Sequence, residues 1–378
     1  MQTVGGAVSL RQMRLTKLVL VIICVCGATA IGADWTVIHH QDRDYVSFTN
    51  VAQFYQFPDY TRVNRTVSLR SDRRGIRATA GTSELYINGV RFFTDFPIVF
   101  DNNEDLISVM DVSKMIEPVL RPSRIANTGR VETVVLDPGH GGTDQGTMDR
   151  WGTEKAYALD VALTAREELL RAGFRVELTR SSDIGVSLED RVQFANRFPH
   201  AVFVSIHFNS GGGAGAESYA VAPAGVPSNA SNESHVAPTE VQRCEGNLHD
   251  PHNIALTAAV HASVLAHTGA FDRGVRHARF HVLRNISIPA VLVECGFLSE
   301  SAEGQRIATA QYRQRLGQAL AQGVQNYNNA VNYRGNGTLA SARTNLPPHE
   351  QSITDPLQPI ANQSARSDEP SASIGGGD

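Results

Sequence analysis

An apolar run ends at Asp137, Pro138-Gly139 turns the chain, and His140 follows between glycines in the stretch LDPGHGG. Glycines there let a ligand or a second backbone approach the imidazole closely. Glu154 opens the next helical segment, in WGTEK, where a carboxylate also answers the positive end of a helix. His207 closes a second apolar run, AVFVSIHFNS. In an open α/β sheet, a side chain at the carboxyl end of a strand faces the crevice where such sheets hold ligands. Each residue alone has an ordinary reading: a hydrogen-bonded loop histidine, a helix-start acid, a satisfied strand-end histidine. Together, two His and one Glu form the donor set of a catalytic zinc site with a fourth position left for water. Glu294 adds a carboxylate inside the apolar run PAVLVECGFLSE, where a charge is costly unless it has work or a partner. It reads as the general base of a metal hydrolase or as a structural acid paired with Arg or Lys. Its place at a strand end favours the first.

The elements that must position these four residues alternate from Val131 to about Tyr327. Strands are expected at Val134–Asp137, Arg175–Thr179, Ala201–Ile206, Glu217–Ala222, Phe280–Leu283 and Ala290–Glu294. Helices are expected at Ala156–Arg171, Leu188–Arg197 and Ile254–His267, with a last one through Ile307, Leu316, Leu320 and Val324. Gly173 stands where a helix C-terminus wants it. The alternation predicts an α/β catalytic domain over 131–328, its largely parallel sheet flanked by helices. A polar insert at 223–251 falls on a loop of this half, either shaping the site or lying on the surface. Beyond it, residues 329–378 are rich in Ser, Asn, Pro and Gly and are expected to be disordered.

Residues 34–120 have a different texture, with strand-like runs at Tyr45–Phe48, Thr66–Leu69 and Leu85–Ile87. Asn88-Gly89 is a hairpin signal, and short helices are expected near Asn50–Phe54 and Leu106–Ile116. This predicts a small α+β module without catalytic residues, suited to binding or positioning, joined by a linker at 121–130. Arg11, Arg14 and Lys17 precede an apolar run of about 16 residues, short of the roughly 20 needed to span a bilayer. Residues 1–33 therefore read as a secretory signal, placing the chain in the periplasm, the envelope or the medium with no stable membrane span after cleavage, the alternative being an uncleaved anchor. Cys244 and Cys295 would remain, as one disulfide or as two separate thiols; spacing does not choose. A formal charge of -4 argues against non-specific nucleic-acid binding.

VVLDPGHGG, GTEK, LTRSSD, SLEDRVQFAN, FVSIHFNS, GAESY, RGVRHARFHVLR and PAVLVECGFLSE occur in this order from about Val131 to Tyr327. Together they resemble the zinc-dependent N-acetylmuramoyl-L-alanine amidases of the bacterial cell wall. The resemblance implies zinc ligands His140, Glu154 and His207, with Glu294 as catalytic acid/base. It also implies peptidoglycan as substrate, cut between the lactyl group of N-acetylmuramic acid and L-alanine. A regulatory partner is among the expectations, because some members carry regulatory segments near the position of the insert. The amino-terminal module, with its strand, NG turn, strand and LISVMDVSKMIEPVL, is similar to the small domain first named from copper amine oxidases. Two other readings fit the same residues: a zinc peptidase acting on another amide, and a non-catalytic wall-binding scaffold. The scaffold reading predicts a lost ligand or base, whereas all four positions are filled. Asp137 and Asn209 are candidates to support the histidines or simply to brace turns. His200, His235, His249, His252, His277 and His281 are expected to be structural or solvated. Arg273–Arg284 could meet acidic groups of a peptide, against a default of solvated arginines.

Overall fold

The computed structural model describes residues 35–229 and 241–333. The expected signal at 1–33 and most of the expected tail lie outside the described residues, as does His235. The amino-terminal part gives β1 (Val37–His40), β2 (Arg43–Ser47), α1 (Phe48–Tyr55), β3 (Asp59–Val63), β4 (Thr66–Arg70), β5 (Gly75–Thr79), β6 (Glu84–Ile87) and β7 (Val90–Phe93). Then come β8 (Val99–Asp101), β9 (Glu104–Ser108), α2 (Val109–Asp111), a π turn at Val112–Ile116 and α3 (Glu117–Leu120). The NG turn joins β6 to β7 as expected, with Asn88 at φ 53 and Gly89 at φ 86. The helix expected from Leu106 begins only at Val109. Leu106 and Ile107 extend β9 against β2, and Ser108 then caps the helix, its side chain accepting from the Asp111 N–H at 3.0 Å.

The second part gives β10 (Thr133–Pro138), β11 (Met148–Asp149), β12 (Gly152–Thr153), α4 (Glu154–Arg171), β13 (Arg175–Leu178), α5 (Leu188–Ala195), β14 (Ala201–Asn209) and β15 (Ala216–Val221). It ends with α6 (Asp250–Thr268), β16 (Asp272–Ala278), α7 (His281–Arg284), β17 (Ala290–Phe297), α8 (Ser301–Ile307) and α9 (Ala310–Val331). The strand expected at Phe280–Leu283 is instead the short helix α7, which buries Val282 and Leu283 under the sheet; the strand lies earlier, at β16. The last helix runs through Val331, into the stretch expected to be tail, because Tyr327 and Val331 still reach the core.

Eleven strands form one sheet in the order β13-β10-β14-β17-β15-β16-β7-β6-β5-β4-β3. The run β13-β10-β14-β17 is parallel; β15 reverses against β17, and β16 lies parallel to β15. The sheet is thus mixed, and parallel where His140, His207 and Glu294 are placed. Helices α4, α6 and α9 cover one face through Leu169, Val260, Leu316 and Val324, while α5 and α7 cover the other. Strand β7 docks on β16 at Phe92 opposite Val275, so the amino-terminal strands continue the same sheet. Their core, built on Phe48, Leu69, Leu85 and Phe92, also takes in Ala220, Ile254 and Val275.

Candidate active site

His140, Glu154 and His207 converge where β10 and β14 end and α4 begins. Their donor atoms lie within 4.8 Å of one another. Glu154 Oε1 is 3.1 Å from His140 Nε2 and 2.9 Å from His207 Nδ1. Metal bonds of about 2.0–2.2 Å at tetrahedral angles leave neighbouring donors about 3.3 Å apart, so the donor set fits a zinc-sized cation. Glycines make the approach possible. A Cβ on Gly139 would come within 2.3 Å of the His207 ring, and one on Gly146 within 2.5 Å of Glu154 Oε2. Glu154 is the first residue of α4 and is buried; its oxygens accept the Thr147 N–H at 2.8 Å and the Phe208 N–H at 3.1 Å. Burial works against its charge, yet His140 and His207 hold its carboxyl well below the usual range. Burial likewise opposes charge on His140, and the Glu154 and Asp144 carboxylates outweigh it, raising its pKa.

Two buried arginines hold the turn that carries His140. Arg180 donates to the carbonyls of Pro138 and Gly139, and Arg191 to those of Pro138 and His140. That grip fixes His140 in the left-handed region at φ 57, which a non-glycine residue keeps only when its surroundings impose it. Asp137 lies beneath, bonded to Arg191, Thr179 and Ser205, and is a brace for the strand ends rather than a partner of either imidazole. Asn209 bonds Glu217, not a histidine. The residue beside an imidazole is Asp144, whose Oδ2 is 2.8 Å from His140 Nδ1. Sequence reading missed it, although its spacing from His140 within one turn was a usable signal.

Glu294 stands opposite His207 on β17, fully buried, with Oε2 making no hydrogen bond among the described residues. Burial first, then the charges of Glu154 and Glu217, push its carboxyl well above the usual value. The reading of Glu294 as a structural acid paired with Arg or Lys is not what the structure has. Glu217, on the other side in the sheet, is the paired one: Arg273 Nε donates to it at 2.6 Å and the Tyr219 hydroxyl at 2.6 Å. The remaining histidines serve elsewhere; His252 bonds Tyr327, His261 lies between Ser218 and Asp272, and His277 meets Asp95. Cys244 and Cys295 are separate free thiols.

Comparison with known proteins matches residues 134–326, just over half of the chain, to the N-acetylmuramoyl-L-alanine amidase family. The chain belongs to this family. It is 34% identical over 194 residues to the sporulation-specific N-acetylmuramoyl-L-alanine amidase of Bacillus subtilis, covering 51% of this chain and 66% of that one. The match therefore spans just under two thirds of that relative. To the N-acetylmuramoyl-L-alanine amidase AmiA of Escherichia coli it is 30% identical, over 53% of this chain and 77% of AmiA. Among solved structures, the catalytic domain of the amidase CwlV from Paenibacillus polymyxa is 32% identical with a TM-score of 0.43, covering 52% of this chain and 97% of that domain. The family match takes in His140, Glu154, His207 and Glu294 and begins beyond the amino-terminal strands.

Proposed function

We propose that the protein hydrolyses the amide between the lactyl group of N-acetylmuramic acid and L-alanine in peptidoglycan, using Zn2+ held by His140, Glu154 and His207. The observation that carries this reading is the pairing of a compact His-Glu-His donor set with an unpartnered buried carboxyl, Glu294, one strand away. Zinc bound there supplies a Lewis acid for the amide carbonyl and makes attacking water available near neutral pH. Glu294 takes the proton from that water and returns it to the departing alanine nitrogen. A carboxyl whose pKa lies above the ordinary range suits both transfers. Asp144 orients His140, and the arginine-held turn keeps its imidazole in place.

In this reading residues 131–328 are the catalytic domain and 34–120 a binding or positioning module. The basic, then apolar, first 33 residues support export to the periplasm or cell envelope. Among the described residues no helix is long and apolar enough to cross a membrane.

Mass analysis of purified wall digested by zinc-loaded protein tests the reading. Intact stem peptides beginning with L-alanine, released only without chelator, are expected; cuts inside the stem would make the protein a peptidase instead. Glu294→Gln is expected to keep zinc and lose about 10²–10⁴-fold in kcat, whereas His140→Ala loses the metal. Wild-type turnover by Glu294→Gln overturns the assignment.

A further inference from the structure

Arg276 is a half-buried cation on β16 with no carboxylate partner among the described residues. Its Nη1 donates to the Asn229 carbonyl at 3.2 Å, and its Nε is buried without a hydrogen bond. Its Nη2 bonds nothing among the described residues. The nearby acids are already taken: Glu217 by Arg273 and Tyr219, Glu84 by Arg91. Leaving a guanidinium partly desolvated and unpaired is unfavourable, and such groups mark sites where an anion arrives.

Its position relative to the catalytic row follows from the sheet. His207 stands opposite Glu294, Glu294 opposite Glu217, and Glu217 opposite Gly274. Arg276 is two residues beyond Gly274, opposite Tyr219, and so on the same face. At about 4.8 Å between strands and 3.3 Å per residue, it lies about 12 Å from Glu294. An extended peptide crosses that distance in about three to four residues.

The amino-terminal module frames this cation. The Phe93 ring, at the end of β7, centres 3.7 Å from the Arg276 guanidinium and 4.7 Å from that of Arg91. It fits because Gly274 has no side chain: a Cβ there would meet the ring at 2.8 Å. An aromatic face on a guanidinium excludes water, and with Nε buried and one Nη1 N–H on Asn229 the Nη end, through Nη2 and the second N–H of Nη1, is left to meet a carboxylate. Arg91, paired with Glu84, packs against the same ring and helps to hold it in place.

We propose that Arg276, framed by Phe93 and Arg91, binds a carboxylate of the peptide on the leaving side of the scissile amide, so that the module completes the substrate site. The ligand class is an acidic peptide, and the inference rests on the amidase reading. A charge-assisted pair of this kind is worth about ten- to a hundredfold in affinity.

The test compares two soluble N-acetylmuramoyl peptides, one with free carboxylates and one with the same carboxylates amidated, and measures kcat and KM. Arg276→Gln is expected to raise KM about ten- to a hundredfold for the acidic substrate only. Arg276→Lys, which keeps the charge, should recover part of that loss, and Phe93→Ala should repeat it more weakly. Should Arg276→Gln melt early, Arg276→Lys at wild-type stability still reads the loss of paired geometry. Equal loss on both substrates, or none on either, overturns the subsite. Calorimetry with the free acidic stem peptide separates the two readings. A wild-type protein that cuts neither substrate yet binds this peptide through Arg276 overturns the amidase assignment and leaves the carboxylate site standing.

Discussion

Asp144 fixes which nitrogen of His140 faces Glu154, since its Oδ2 already occupies Nδ1 at 2.8 Å. Partners of this kind set the tautomer and raise the basicity of a metal ligand. Asp144→Ala is expected to weaken zinc binding about 10–100-fold, read by competition with a chelator. Because the Asp144 side chain is largely exposed, the melting point of the metal-free protein should stay unchanged. Gly139 gives a steric test of the same centre. Its backbone is not in the left-handed region, so Gly139→Ala adds only a methyl, placed 2.3 Å from the His207 ring. The ring must move, and zinc affinity should fall with little change in denaturation midpoint; unaltered affinity would count against the convergence of these donors. The proximity of His140, Glu154 and His207 was legible in the sequence because each stands at a strand end, in the turn after one or at the start of a helix, and Glu294 stood out inside an apolar run. Asp144 was not singled out, because its role depends on a turn. Arg276 was covered only as part of the Arg273–Arg284 segment, because cross-strand neighbours set which arginine of that segment is left without a carboxylate.

Strands were legible where apolar runs are long and punctuated, as in β10 before Pro138-Gly139 and in β14. They were misread where a run changes element midway. Leu106–Ile116 is continuously apolar enough for a helix, but Ser108 divides it into a strand and a capped helix. Phe280–Leu283 is too short for periodicity to separate a strand from one helical turn. The reversal of β15 also escaped, since direction is set by connections rather than by composition. The junction of β7 with β16 is the element-scale feature that sequence hid most fully, and it rests on Gly274. Its φ of 102 and the Phe93 ring at 2.8 Å both oppose a side chain. Gly274→Ala is expected to destabilise by about 1–3 kcal/mol, measured by urea unfolding. It should also speed protease cleavage near residues 121–130 as β7 loosens from β16. A wild-type unfolding curve would show that the junction does not depend on this glycine.

The same junction buries charge, which ties the stability of the whole molecule to pH. Asp111, at the end of α2, accepts the backbone N–H of Asp95 at 2.7 Å and the Ser108 hydroxyl at 2.6 Å. Asp95 in turn contacts His277 of β16 at 2.6 Å, all three side chains being buried. Tyr45 faces Asp111, and Asp250, bridged to Lys114, acts on His277 from α6. Burial, then the charge of Asp95, pushes the Asp111 carboxyl up to about 8, with Ser108 and His277 pulling the other way. Burial opposes charge on His277, but Asp95 and Asp111 raise its pKa. Both shifts have one sign, because the folded protein holds protons that the unfolded chain has released. The stability from Asp111 is therefore complete below about pH 4, the unfolded carboxyl value, and is lost as pH rises towards 8. His277 extends the same loss upward from about pH 6.5. Denaturant unfolding of metal-free protein between pH 5 and 9 should show stability falling by up to about 1.4 kcal/mol per pH unit for each proton released. Asp111→Asn, neutral at every pH, should flatten the lower part of that slope and reduce, without abolishing, the part due to His277, which Asp95 still raises. Stability that rises across this range, or an Asp111→Asn slope equal to wild type, would mean that the proton is not held at this junction.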